Sequence, residues 1–235
     1  MKNQSSIQYA IRQPRRFIRK ATASILGQVA PLHQELDFKL DDSLSALLND
    51  TAEKELNLSA KSMYAFGGHL QRERLKHLAQ WSVNHFPGDL VEIGAFRGQT
   101  SRLFAKIAAE KNRRLIVIDP WISGSQDCAG LEFDDFNKNI EDFKGRVDVW
   151  RSSSLDKEII KRLGKRHLSF AFVDGLHTLE ASYSDMIACS HCTGVIAIDD
   201  TRYNKDLLFS VCQAASKMGR TAYQNPDFRE AYLFA

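Results

Sequence analysis

A regular alternation of short apolar runs and helical segments between residues 90 and 198 constrains the fold most strongly. The apolar runs, typical of strands buried on both faces, are Leu90–Ile93, Leu115–Ile118, Val147–Trp150, Leu168–Val173 and Val195–Ile198. The helical segments between them are Thr100–Glu110, Phe133–Phe143, Lys157–Leu163 and Leu179–Cys189. Repeated strand–helix units form a parallel sheet with helices on both faces, so we expect a doubly wound α/β fold.

The C-terminal segment departs from this alternation. Thr221–Gln224 and Ala231–Phe234 flank Pro226, and the stretch between them leaves no room for a helix. We therefore expect an antiparallel hairpin that completes a seven-stranded, mostly parallel sheet.

The first part of the chain is predicted to be a helical extension over residues 1–60, followed by the α/β domain over residues 61–235. Predicted helices run from Pro14 towards Ala30 and from Asp42 to Leu56, and a third ends near Asn84. The pair Gly67-Gly68 is expected to interrupt the segment before this third helix.

Charge is uneven along the chain, although the formal net charge of +3 is too small to argue for nucleic acid. Residues 1–34 hold no acidic side chain, and the basic ones are Lys2, Arg12, Arg15, Arg16, Arg19 and Lys20. Such a basic amphipathic helix fits a membrane surface or an acidic partner. It equally fits packing on the core or on a second subunit, which would give a homo-oligomer through the N-terminal helices.

The longest apolar runs are far shorter than a spanning helix requires, so no transmembrane segment is expected. The N-terminus has no apolar signal-peptide core, because basic residues interrupt it. We therefore expect a cytoplasmic protein whose 4 cysteines are reduced.

A glycine-containing loop, Glu92–Gly98, follows the first strand and reads EIGAFRG. Gly94 and Gly98 allow a tight turn and a close approach of the backbone to a ligand, and the next helix presents its N-terminus to an anionic group. The spacing differs from the dinucleotide pattern G-x-G-x-x-G, which argues against NAD or FAD. It resembles the loop of class I methyltransferases that binds S-adenosylmethionine (SAM).

Asp119 ends the second strand, where an acidic residue in doubly wound folds accepts hydrogen bonds from ribose hydroxyls. A cap of the turn before Pro120 is the alternative. Trp121 follows, and either covers a ring of a ligand or packs in the interior.

Three carboxylates are expected at the same edge of the sheet. Asp174 ends the fourth strand, and Asp199 and Asp200 end the fifth. Carboxylates that lie so close together repel one another unless a positive charge lies between them. Mg²⁺, which prefers oxygen ligands, is one such charge. Helix capping and a simple turn are the alternatives. His177 is a candidate general base, or a polar loop residue.

The strings GDLVEIGAFRGQTS, VIDPW, FVDGLHTLEASYSDM and VIAIDD together resemble a group of small class I methyltransferases, which includes macrocin O-methyltransferase and cephalosporin hydroxylase-like proteins. The resemblance covers roughly Ser62 to the C-terminus. It implies a methyltransferase that transfers the methyl group of SAM, most simply to a small-molecule or sugar hydroxyl. In that group the first loop and the acid of VIDPW hold SAM. Our candidate cofactor-binding residues are Glu92, Gly94, Ala95, Gly98, Ser101, Asp119, Trp121 and Asp174. The positions of Asp174, Asp199 and Asp200 are metal ligands in several members of the group. Asp174 and His177 are our candidate catalytic residues.

Two other functions stay open at this point: a related enzyme that binds a nucleotide-like ligand, and a non-catalytic SAM-binding module. A further alternative concerns Cys189-x-x-Cys192, which with His191 suggests zinc. Because a structural zinc site needs four ligands, buried thiols are the simpler interpretation.

Overall fold

The computed structural model describes Ala46, Asp50 and residues 60–122, 131–224 and 228–235, with the side chains described from residue 69 onwards. Of the helix predicted over Asp42–Leu56 only Ala46 and Asp50 are described, and both are helical, while the basic amphipathic helix lies outside the described residues. No described helix is long and apolar enough to cross a membrane.

The described residues form a seven-stranded sheet with the strand order β3-β2-β1-β4-β5-β7-β6. The strands are β1 Asp89–Ile93, β2 Leu115–Ile118, β3 Val147–Trp150, β4 Leu168–Val173, β5 Val195–Ile198, β6 Thr221–Tyr223 and β7 Ala231–Phe234. The first five pair in parallel, and β7 is antiparallel to both of its neighbours. The predicted doubly wound sheet and its C-terminal hairpin are confirmed.

Helices connect the strands. They are α1 Ala60–His85, α2 Gln99–Glu110, α3 Glu132–Asn139, α4 Lys157–Leu163, α5 Leu179–Ala188 and α6 Lys205–Met218, with a 3-10 helix over Glu141–Arg146. Three expectations need correction. The pair Gly67-Gly68 does not interrupt α1, the helix predicted to reach Phe143 ends at Asn139, and α6 was not predicted.

Alternate residues of the parallel strands enter two separate cores. Leu90 and Phe170 pack on one face of the sheet with Phe104 of α2. Val91 and Ala171 pack on the other face with helices α4 to α6. Two apolar faces explain why the strand sequences are apolar almost throughout.

The register of the strands determines where the loops meet. Ile93 lies opposite Ile118 and Val173, and Val173 lies opposite Ile198. The four central strands therefore end level, and the residue after each one lies at the carboxyl edge of the sheet. This edge is where ligands bind in open α/β sheets.

Candidate active site

The glycine loop after β1 is shaped by packing. Gly94 has φ 84°, and its N–H donates to the Ile118 carbonyl (2.9 Å). A Cβ at Gly94 would collide with the backbone carbonyl of Asp174. Gly98 has φ 77°, and a Cβ there would lie 2.8 Å from the Phe136 ring. Both positions thus require glycine before any ligand is considered.

Glu92 at the end of β1 and Ser101 in α2 form a buried pair across this loop. The Ser101 hydroxyl donates to the Glu92 carboxylate (2.5 Å), and both side chains are buried. Burial raises the pKa of Glu92 to about 8, although the Ser101 hydrogen bond opposes the shift. The sequence predicted both residues at the cofactor. The structure buries both side chains and bonds them to each other.

Asp119 closes the loop from the end of β2. Its Oδ2 accepts from the backbone N–H groups of Ala95 (2.8 Å) and Phe96 (3.0 Å), and its Oδ1 accepts from that of Trp121 (2.7 Å). A carboxylate offers about four acceptor positions, so one remains for a ligand hydroxyl.

Trp121 packs in the interior. Its indole N–H donates to the Phe96 carbonyl (2.8 Å), and its ring contacts those of Phe133 and Phe136. Only 5% of the residue is exposed. The packing alternative therefore describes it better than a cover for a ligand. Phe96 is the exposed aromatic of the loop, at 44%.

The three predicted carboxylates do meet beyond β4 and β5. Asp199 is buried, and its Oδ1 accepts from Gln71 Nε2 of α1 (2.7 Å) and from the Asp200 N–H (2.7 Å). Arg229 donates to it twice, from Nε to Oδ1 (3.2 Å) and from Nη2 to Oδ2 (3.1 Å). Asp199 is thus held from two sides by residues distant in sequence.

Asp200 and Asp174 lie around His177. Asp200 Oδ1 is 2.8 Å from Arg229 Nη2, and its Oδ2 is 3.5 Å from His177 Nδ1. The other ring nitrogen, Nε2, is 3.3 Å from Asp174 Oδ1. Asp200 has φ 55°, an uncommon conformation for a residue other than glycine. The imidazole therefore bridges two carboxylates.

Burial and charge perturb the whole cluster. Burial raises the pKa of Asp174, and it raises that of Asp199 to about 8 with the neighbouring Asp174 charge adding to the effect. The pKa of His177 is raised, mainly by its hydrogen bond to Asp174. Perturbed groups that converge at one edge of a sheet indicate a functional site.

The cluster does not fit a divalent metal ion in this arrangement. The oxygens of Asp199 and Asp200 already face Arg229, Gln71 and His177. Within the described ranges, no group of three or more His, Cys, Asp or Glu side chains is placed to hold a metal. The repulsion that suggested Mg²⁺ is relieved by a guanidinium instead.

Sequence reasoning missed Arg229 and Gln71. One signal for Arg229 was present: it is the basic residue just before the strand predicted to return beside the fifth strand. Gln71 gave no signal, because a glutamine in a helix is ordinary.

Cys189 and Cys192, weighed for zinc, are both buried thiols. Burial raises the pKa of Cys192 to about 11, which favours the protonated thiol.

Comparison with known proteins bears on the family and the fold. Residues 91–201 match a family model described as a methyltransferase domain. None of the curated proteins matches the sequence. The TDP-rhamnose 3'-O-methyltransferase CalS11 of calicheamicin biosynthesis is 15% identical, with a TM-score of 0.51, over 86% of this chain and 99% of that one. The cofactor-bound protein Rv0187 from MTB is 16% identical, with a TM-score of 0.50, over 88% of this chain and 98% of that one.

At these identities the two solved structures establish the fold. The family match adds the chemistry, because its span from β1 to just beyond Asp200 contains the glycine loop, Asp119 and all three carboxylates of the cluster. Residues 91–201 of this chain therefore form a methyltransferase domain, on a fold shared with these solved proteins.

Proposed function

We propose that the protein transfers the methyl group of SAM to a hydroxyl of a small molecule. One observation carries the proposal: the glycine loop with Asp119 and the His177 cluster occupy neighbouring stretches of one sheet edge. The first stretch suits the cofactor, and the second suits a group that must lose a proton. The named activity of CalS11, a sugar O-methyltransferase, is consistent with this division.

The cofactor side is built from the ends of β1 and β2. Asp119 keeps one acceptor position for a ribose hydroxyl, and the N-terminus of α2 favours the carboxylate of the methionine part. Phe96, exposed beside them, offers an apolar surface to the adenine ring. Glu92 and Ser101 act indirectly, because their hydrogen bond links the strand and the helix on either side of the loop.

The reaction on the acceptor side is an in-line displacement. The acceptor oxygen forms a bond to the methyl carbon, the carbon–sulfur bond breaks, and its electron pair stays on sulfur. The hydroxyl proton passes to Nδ1 of neutral His177, whose ring is held by the hydrogen bond that Nε2–H donates to Asp174. Since Asp174 and Asp200 raise the pKa of His177, the imidazole becomes a base only above its ordinary range.

The surroundings of the cluster favour an acceptor with an apolar part. Leu176 is 64% exposed and Tyr203 is 63% exposed, and they lie on the loops that carry His177 and Asp200. An acceptor that covers these side chains would also exclude water, which favours methyl transfer over side reactions. Assistance by Mg²⁺ has no part in the proposal, because Arg229 faces the carboxylates that would bind it.

Calorimetric titration of SAM into the full chain tests the cofactor half. We expect micromolar affinity, weakened by about 1–3 kcal/mol in Asp119→Ala through the lost hydrogen bonds. Asp148→Asn, at the opposite edge of the sheet, is the matched control and should bind SAM normally. A folded wild-type protein that does not bind SAM would contradict the proposal.

Transfer itself is tested with SAM carrying a labelled methyl group and a panel of phenols, sugars and nucleotide sugars. Label in an ether product would support O-methylation. Label found only on nitrogen or sulfur acceptors would contradict it.

A further inference from the structure

Arg229 lies where the sequence suggested a metal ion. Its Nη2 is 3.1 Å from an Asp199 oxygen and 2.8 Å from an Asp200 oxygen, and its Nε donates to Asp199. One guanidinium thus lies between two adjacent carboxylates and reduces their repulsion.

The backbone of the tail fixes this position. Ala231 pairs with Ile198 across β7 and β5, so Arg229 arrives just beyond the end of β5, opposite the aspartates. Its carbonyl accepts from the Arg202 N–H (3.2 Å) and from the Thr201 hydroxyl (3.2 Å). The guanidinium is therefore held in place before any ligand arrives.

The next residue strengthens the anchor. Glu230 is buried and forms a two-point ion pair with Arg74 of α1, at 2.5 and 3.1 Å. The Tyr232 hydroxyl also donates to Glu230, and the Arg74 guanidinium lies 4.0 Å from the centre of the Phe228 ring. A tail tied down on both sides of Arg229 is not a loop that readily moves aside for a metal ion.

A guanidinium differs from a bound cation in being permanent. Its pKa is far above neutral, and pairing with Asp199 and Asp200 raises it further, although burial opposes the shift. The Nη1 atom has no hydrogen-bond partner among the described residues, and the side chain is 37% exposed. Arg229 can therefore donate to an acceptor oxygen while it holds both carboxylates.

We propose that Arg229 is the resident cation of the acceptor side and that methyl transfer by this protein requires no divalent metal. The proposal rests on the proposed function for the identity of the acceptor side. Its chemical role is to stabilise the negative charge that develops on the acceptor oxygen as the proton leaves.

Binding of Mn²⁺ to the full chain, followed by electron paramagnetic resonance in the presence of SAM, tests the proposal without an acceptor. We expect no stoichiometric site at millimolar Mn²⁺ in the wild type or in Arg229→Lys, which keeps the charge. Arg229→Gln uncovers the carboxylates and should gain a Mn²⁺ site, with a melting temperature that Mn²⁺ raises. Arg166→Gln, at the opposite edge, also removes an arginine from two aspartates and should gain no site.

Stoichiometric Mn²⁺ on the wild type, lost in Asp200→Asn, would overturn the proposal, and this arm does not depend on whether Arg229→Gln folds. A folded Arg229→Gln that binds no Mn²⁺ would also count against it. SAM titration of the same samples separates the two proposals. Absent SAM binding refutes the proposed function, whereas the Mn²⁺ result alone decides whether Arg229 is the resident cation.

Discussion

Each edge of the sheet carries an arginine that bridges two aspartates, but the two arrangements serve different purposes. At the amino edge, Arg166 Nη2 lies 2.7 Å from Asp89 and 3.2 Å from Asp148. At the carboxyl edge, Arg229 Nη2 bridges Asp199 and Asp200 in the same way.

The difference lies in the surrounding charge and burial. Arg114 also pairs with Asp148, so the amino edge has two cations for two carboxylates, and these side chains are partly exposed. The hydrogen bond from Arg114 lowers the pKa of Asp148. The carboxyl edge has a third carboxylate, Asp174, and burial raises the pKa values there. Balanced charges stabilise the fold, whereas an excess of buried carboxylates retains a proton and can exchange it.

The largest expected effect is on turnover, once an acceptor is known. Arg229→Gln should lower kcat about 100-fold, as does the loss of a donor to a developing oxyanion. Arg166→Gln should leave kcat within about twofold, because it lies far from the reacting atoms and alters a partly exposed pair. Equal losses in both variants would mean that Arg229 is also purely structural.

The next effect concerns two glycines, one near each edge. Gly94→Ala drives a Cβ into the Asp174 carbonyl at a positive φ, so we expect destabilisation of at least about 2 kcal/mol. A Cβ at Gly145, whose carbonyl accepts from Arg114, would have no atom within 4 Å. Gly145→Ala should thus change the free energy of unfolding little. Urea denaturation of both variants checks this, and normal stability in Gly94→Ala would show that the loop adapts.

The pH dependence of stability should have opposite signs at the two edges. Glu92 keeps its proton up to about pH 8 in the folded state, whereas in the unfolded state it loses the proton near its ordinary pKa of 4.5. Between these values the folded state holds the extra proton, so stability falls as pH rises, by about 1.4 kcal/mol per unit at most. Glu92→Gln should remove this slope.

Asp148 works in the other direction, because its pKa is lowered in the folded state. Its contribution is present above the unfolded pKa and is lost as pH falls. Asp148→Asn should therefore cost stability at neutral pH and little in acid. Denaturation curves between about pH 2 and pH 8 cover both windows, and parallel curves for Glu92→Gln and wild type would contradict the assignment.

The smallest effect is a difference between two histidines. The pKa of His177 is raised by Asp174, whereas burial lowers that of His191, which lies before β5 towards the amino edge. An NMR titration, assigned with His177→Gln and His191→Gln, should place them on opposite sides of about 6.5. Asp174→Asn should move only His177, downwards. A His177 unaffected by that change would not be paired with Asp174 in solution.

The sheet could be read from the sequence because each strand is apolar on both faces and each connection is a helix. A parallel sheet predicts that neighbouring strands end at the same edge. It therefore also predicts that Asp174 lies close to Asp199 and Asp200. The need for a positive charge among them was also predictable from repulsion.

The source of that charge was not predictable. Arg229 reaches the cluster through antiparallel pairing of the tail, and Gln71 reaches it from α1, and neither contact leaves a local pattern. Trp121 and Ser101 show the converse. A family motif located them correctly along the chain, but only packing shows that they face inwards.

The place of β7 between β5 and β6 has a consequence for the order in which the protein acquires its working parts. A nascent chain that has emerged as far as Gly219 already contains the glycine loop and Asp119, the parts assigned to the cofactor. In this nascent chain the three neighbouring carboxylates would still lack the Arg229 guanidinium. Arg74 would likewise lack Glu230. We therefore expect the cofactor side to mature first, and the acceptor side to form only when the last strand slots into the sheet. The part of the site assigned to the methyl acceptor is therefore complete only in chains in which β7 has joined the sheet.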